Sequence, residues 1–101
     1  MADLKVQDNL LSLAGLLNVD TVNQYYQPGL DAIEKIDAAA NDLVVDLAEV
    51  EIVGSAGVAL LIAWQRRALE MDKAMAIVNA PSHFLAMAEV SGVRDILPFQ
   101  D

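Results

Sequence analysis

Two short apolar runs, LVVDL (Leu43–Leu47) and AMAIV (Ala74–Val78), bracket a longer apolar segment with helical periodicity, and this unit restricts the fold more than any other feature. LVVDL follows the turn-like Asn41 and Asp42 and has the length and β-branched composition of a buried strand. A helix is expected to open at Ser55 or Ala56 and run to about Met71. Val58, Leu61, Ile62, Gln65, Ala68 and Leu69 share one broad face, with Leu60 and Trp64 as a flanking stripe. Gln65 is unexpectedly polar for that face. Asp72 and Lys73 make the turn into AMAIV. A strand, a helix and a strand in this order favour parallel pairing with the helix packed on the sheet.

The flanking segments extend the same alternation. Asn9–Ala14 (NLLSLA) predicts a strand that Gly15 breaks, with another strand before it at Leu4–Gln7. From Asp20 the apolar positions Val22, Tyr25, Tyr26, Leu30, Ile33, Ile36 and Ala40 recur at helical spacing, with Asp20 or Thr21 placed to cap the start. Pro28 and Gly29 interrupt this stretch, but the apolar phase survives them. We therefore expect a kinked helix, or a short turn leading into a helix from Pro28. Pro81 suits the first position of a last helix that turns Phe84, Leu85 and Ala88 inward and ends at Ser91 and Gly92. Ile96, Leu97 and Phe99 can pack on the core edge. The expected product is a single α/β domain spanning residues 1–101, with a mixed, largely parallel sheet of about four to five strands and about three helices.

Composition narrows the function classes. A chain of 101 residues is the size of one domain and buries about 65% of its unfolded surface. The hydrophobic fraction of 55% implies surplus apolar surface of the kind that marks partner interfaces. The longest apolar run, Ala56–Trp64, is far short of the roughly 18 residues a membrane span needs. Direct membrane insertion is not expected, and the opening MADLKVQD does not resemble a secretory signal. Without cysteine, neither disulfides nor thiolate metal sites are available. With six Lys plus Arg against fifteen Asp plus Glu, the net charge is −9, which repels nucleic-acid phosphates and favours a protein partner.

Candidate chemistry is sparse. His83 is the single histidine and reads as a surface residue in the first turn of the last helix. VGSAG places its serine one position too early for a nucleophile elbow, and GSAG lacks the lysine of a P-loop. Asp42, Asp46, Glu49 and Glu51 read as solvated acidic residues around a strand and loop, with no calcium-loop spacing; Asp46, between Val45 and Leu47, is the exception. Of Tyr25 and Tyr26, one ring is expected to be buried and the other half-exposed. Trp64 fits either the core or an interface anchor, and Met71, Met75 and Met87 are expected to fill core gaps. No catalytic, cofactor or metal constellation emerges, so an enzyme is not expected.

Asp46–Phe99 resembles the STAS domain family, whose pattern is a strand ending in Asp-Leu, a short loop, a helix start of the D-S-S-G-L kind, a helix with paired leucines, a strand ending V-N-P (here V-N-A-P) and a last helix closing with Gly and Val or Leu. LAGLLNVDTV near the front is similar to the family's L-x-G-x-L-D segment. The resemblance implies a mixed sheet with helices packed against it. In the family's anti-sigma-factor antagonists the serine immediately before the motif glycine is phosphorylated by a partner kinase. Here that position is Ala56, the motif aspartate is Gly54, and the remaining hydroxyl is on Ser55.

This pattern looks closer to the STAS subunits of Mla-type ABC transporters, which move phospholipid between envelope membranes and maintain outer-membrane lipid asymmetry. The resemblance then implies a cytoplasmic regulatory subunit, peripheral to the inner membrane, bound to the transporter's ATPase through Gly54, Ser55, Ala56, Gly57 and Leu60. The alternative it implies is an anti-sigma-factor antagonist, with an anti-sigma factor and serine kinase as partners and Ser55 as an offset phosphorylation site. From the residues alone, Ser55 is also placed to cap its helix by accepting a backbone N–H.

Overall fold

The computed structural model describes residues 3–36, 43–52 and 54–100. Four strands, β1 (Asp3–Gln7), β2 (Leu10–Leu17), β3 (Leu43–Ile52) and β4 (Met75–Val78), form one sheet in sequence order. β1 runs antiparallel to β2, whereas β2, β3 and β4 are mutually parallel. The connections after β2 and β3 carry α1 (Val22–Lys35) and α2 (Ala56–Glu70), and α3 (Ser82–Val90) follows β4. The mixed, mostly parallel architecture is the one expected from the alternation of strand and helix patterns.

Both central strands are longer than their sequence pattern suggests. β2 continues through Gly15 to Leu17, and β3 runs on through Glu49, Val50 and Glu51, which had read as a loop. The two extensions pair with each other, Gly15 with Val50, Leu16 with Glu51 and Leu17 with Ile52. A bulge makes this possible. Ser12 pairs with Asp46 but Ala14 pairs with Glu49, so β3 carries one extra residue there. The extra residue shifts the inward parity from Leu43, Val45 and Leu47 to Val50 and Ile52, leaving Glu49 and Glu51 exposed. Asp46 holds the bulge: its Oδ1 accepts the Ala48 N–H at 2.9 Å and the Asn79 Nδ2–H at 3.0 Å.

α1 is a single helix with Pro28 inside it, and the next residue explains the Pro-Gly pair. A Cβ on Gly29 would lie 2.1 Å from Cζ2 of Trp64, so the glycine is where the α2 indole presses against α1. Trp64 is fully buried and donates its Nε1–H to the Tyr26 carbonyl at 3.2 Å. It is a core residue. Tyr25 is buried while Tyr26 is exposed, as expected, and the Tyr25 hydroxyl donates to the Ala14 carbonyl at 2.7 Å. Thr21 occupies the N-cap position of α1 without a side-chain cap bond, because its hydroxyl donates back to the Leu16 carbonyl at 2.7 Å. At the other end, Lys73 Nζ donates to the Ile33 and Glu34 carbonyls, supplying positive charge where the helix ends. Ala40, Asn41 and Asp42 fall outside the described residues.

The buried face of α2 is rotated from the expected one. Gly57, Leu60, Leu61, Trp64 and Ala68 point into the core, so the supposed flanking stripe is its centre, and Leu69 is 65% exposed. Gln65 donates Nε2–H to the Ile96 carbonyl at 2.8 Å, which ties the tail to the helix. Pro81 precedes α3 as its N-cap rather than opening it. Phe84 and Ala88 are buried and Leu85 is half-buried. In the tail Leu97 is buried and Phe99 packs edge-on against Phe84, with ring centroids 5.9 Å apart, but Ile96 is exposed. Of the methionines, Met75 is buried and Met87 packs partly on the core, whereas Met71 is half-buried outside the core cluster.

Candidate functional site

Because β2, β3 and β4 are parallel, the connections that leave their C-terminal ends emerge at one end of the sheet, where open α/β sheets commonly bind their partners. The α2 N-terminus lies at that end, next to the β2 terminus, since a Cβ on Gly57 would come within 3.3 Å of Leu17 Cδ2. Gly54 is exposed, in the left-handed region at φ +77°, with nothing near its missing side chain. Any other residue there would be strained, so the tight entry into α2 depends on it.

Ser55 is exposed and its hydroxyl makes no cap bond. Its backbone is helical, at φ −88° and ψ 0°, rather than in the extended conformation that turns a capping side chain back over the first turn. The expected capping role is therefore absent. The Ser55 carbonyl accepts the Val58 and Ala59 N–H groups at 3.1 and 3.2 Å, while its side chain has no partner among the described residues. The site thus offers an unengaged hydroxyl at the positive end of a 15-residue helix with no acidic residue in its first turn.

The five candidate binding residues separate by depth. Gly54 and Ser55 are exposed, Ala56 is half-buried, and Gly57 and Leu60 are buried, Leu60 at 1% exposure. Gly57 is small for an internal reason, as its Cβ would meet Ile52 Cγ2 at 2.9 Å and Phe84 Cε1 at 3.3 Å. It brings α2 close to the sheet and to α3, and Leu60 supports the same turn from beneath. Neither offers surface to a partner.

Sequence reasoning read His83 only as a surface residue, which it is, and passed over Ala59 and Val19. His83, exposed on α3, has Nε2 2.9 Å from the Ile52 carbonyl and so joins the first turn of α3 to the end of β3. Ala59 continues the exposed small-residue surface one turn beyond Ser55, and Val19, 76% exposed, projects from the β2–α1 connection. The parallel order of the strands was the available signal, since it brings these connections to one end. Asp46 belongs elsewhere, as the clamp of the β3 bulge. Among the described residues no group of three or more His, Cys, Asp or Glu could hold a metal, and no helix is long and apolar enough to cross a membrane.

A family model described as "Mlab, STAS domain" matches residues 1–98. The chain belongs to the STAS domain family. Its structure is similar to a chain of the Acinetobacter MlaFEDB complex in the ATP-bound Vtrans2 conformation, with 22% identity and a TM-score of 0.82 over 97% of this chain and 99% of that one. The unphosphorylated anti-sigma factor antagonist SpoIIAA is similar at 16% identity and a TM-score of 0.74, over 100% of this chain and 87% of that one. An anti-sigma factor antagonist from Mycobacterium paratuberculosis is similar at 19% identity and a TM-score of 0.77, over 98% of this chain and 83% of that one. No curated protein matches the sequence. These likenesses establish the STAS fold, whose structural neighbours include both a subunit of an ABC complex and anti-sigma factor antagonists.

Proposed function

We propose that this STAS domain is a non-enzymatic subunit that binds the ATPase of an Mla-type phospholipid-transporting ABC complex, on the cytoplasmic side of the inner membrane. The observation that carries the reading is the start of α2. An unengaged Ser55 hydroxyl and a half-buried Ala56 form a small, uncharged surface, and the position where a phosphoswitch needs its serine bears only a methyl group. The near-complete mutual coverage with the MlaFEDB chain, 97% and 99%, supports the same choice. Contact is made by Gly54, Ser55 and Ala56, with Ala59 and Val19 beside them. Gly57 and Leu60 hold this surface in place from within.

The test is affinity capture from native membranes with the tagged full chain. Recovery of an ABC ATPase together with its permease is expected, and capture of a serine kinase and a sigma-factor regulator instead would overturn the assignment.

One observation favours a second reading, an anti-sigma factor antagonist. The Ser55 hydroxyl is exposed at a helix N-terminus, where a phosphate would be electrostatically favoured. Intact-mass measurement after incubation with a cognate serine kinase decides it: an added phosphate that Ser55→Ala abolishes supports the antagonist, and an unchanged mass eliminates it.

A further inference from the structure

β3 outruns its neighbour on one side. β4 stops at Val78, opposite Asp46, so from Leu47 onward β3 has no strand beside it there. At the end of that stretch the Ile52 carbonyl accepts the Nε2–H of His83, with the two atoms 2.9 Å apart. Among the described residues this is the one side-chain hydrogen bond that reaches the segment from Ile52 to Gly57.

The surface around Ser55 rests on that segment. Ile52 is 2% exposed, and its Cγ2 is the first atom that a Cβ on Gly57 would meet, at 2.9 Å. Phe84, next to His83 in sequence, brings Cε1 to 3.3 Å from the same point. The first turn of α3 therefore supports the start of α2 in two ways, through the Phe84 ring and through His83 and Ile52. Of the two bodies that the bond joins, α3 is the better fixed. Phe84 is fully buried and packs edge-on against Phe99, and the Pro81 carbonyl accepts the Phe84 and Leu85 N–H groups at 3.0 and 3.1 Å. Gly54 and Ser55, by contrast, are exposed, nothing lies near the missing side chain of Gly54, and the Ser55 hydroxyl is unbonded.

We infer that His83 is a positioning residue for the Ser55 surface: its Nε2–H fixes the Ile52 carbonyl and so sets the direction in which the chain leaves β3 and enters α2. A surface held in its binding geometry loses less freedom when a partner docks, so the bond raises affinity without the imidazole touching the partner. The inference rests on the reading of this surface as the ATPase contact, but the bond acts within the chain and is measurable without any partner. An ordinary hydrogen bond shifts the balance between a closed and an opened first turn about fivefold.

Native-state hydrogen exchange of the full chain, resolved by residue with NMR, tests the inference. The reporters are the Val58 and Ala59 amides, bonded to the Ser55 carbonyl at 3.1 and 3.2 Å, and the control is the Lys73 amide, bonded to the Ala68 carbonyl beyond the far end of α2. His83→Ala is expected to speed exchange of both reporters about fivefold and to leave Lys73 unchanged. His83→Gln, which places an Nε2–H at the same reach, restores wild-type exchange. His83 is exposed, so both variants fold, and far-ultraviolet circular dichroism checks this. Isothermal titration with the purified ATPase should give about fivefold weaker binding for His83→Ala and wild-type affinity for His83→Gln. Unchanged reporters in His83→Ala, an equal rise at Lys73, a glutamine variant that behaves as the alanine one, or faster exchange with unchanged affinity each overturns the inference. If the wild-type chain does not bind the ATPase, it is the ATPase reading that fails, and the exchange rates still decide the role of His83.

Discussion

Gly29 has no side chain and no unusual torsion, yet it decides how closely the two largest helices approach. Adding a methyl group would place a carbon 2.1 Å from the Trp64 ring, and the indole has no free space to enter because it is fully buried. Gly29→Ala is therefore expected to destabilise the domain by about 1–3 kcal/mol, the ordinary cost of overpacking, despite the better helix propensity of alanine. Urea unfolding followed by Trp64 fluorescence measures this directly, and a stability equal to wild type would show that the helices can separate at little cost. Tyr25 supplies a pH-dependent case. Burial raises its phenol pKa above the ordinary 10.0. The folded state thus favours the neutral ring. Its stabilising contribution is complete below pH 10 and is lost as pH rises through the folded pKa. Thermal melts from neutral to strongly alkaline pH should steepen in their decline above pH 10, and Tyr25→Phe should flatten that decline while lowering neutral stability by about 1 kcal/mol. Both residues were visible in the sequence as helical, but neither the indole above Gly29 nor the Ala14 carbonyl beside the phenol could be read there.

At the scale of elements, β3 shows how one side chain preserves a strand whose pattern fails. A regular ten-residue strand through LVVDLAEVEI would turn Glu49 and Glu51 toward the core, so the pattern read as a five-residue strand followed by a loop. The bulge clamped by Asp46 changes the parity instead and extends the ladder with β2. Asp46→Ala removes the acceptor of both the Ala48 and Asn79 bonds and is expected to cost about 1–2 kcal/mol, while Asp46→Asn, which keeps a carbonyl oxygen, loses less. Denaturant midpoints of the two variants check the order, and equal losses would mean that charge rather than geometry holds the bulge. α2 failed to read correctly for a related reason. Its apolar residues extend almost around the helix, and periodicity alone could not separate the Leu60–Trp64 face, which is buried in the core, from the side that bears the exposed Leu69.

Across the whole molecule, the candidate surface depends on strand order. The connection after each parallel strand reaches the same end of the sheet, and the α2 start sits there with its first turn free of side-chain caps. Ser55→Arg should leave the domain folded, since the residue is exposed, but weaken capture of the ATPase by tenfold or more through lost complementarity. Surface plasmon resonance with the purified ATPase measures it, and unchanged affinity would locate the contact elsewhere. By itself the sequence determined the fold class and the order of elements, because local periodicity and turn chemistry are encoded within a few residues, and the resemblance of its motifs, that at Gly54–Gly57 among them, pointed to the family. Only the tertiary structure decided that Gly57 and Leu60 are buried, that Ser55 leaves its helix uncapped, that Asp46 holds a bulge and that Gly29 receives Trp64. Those outcomes depend on which distant surfaces meet, and strand parity, helix rotation and close approach are set only when the chain packs.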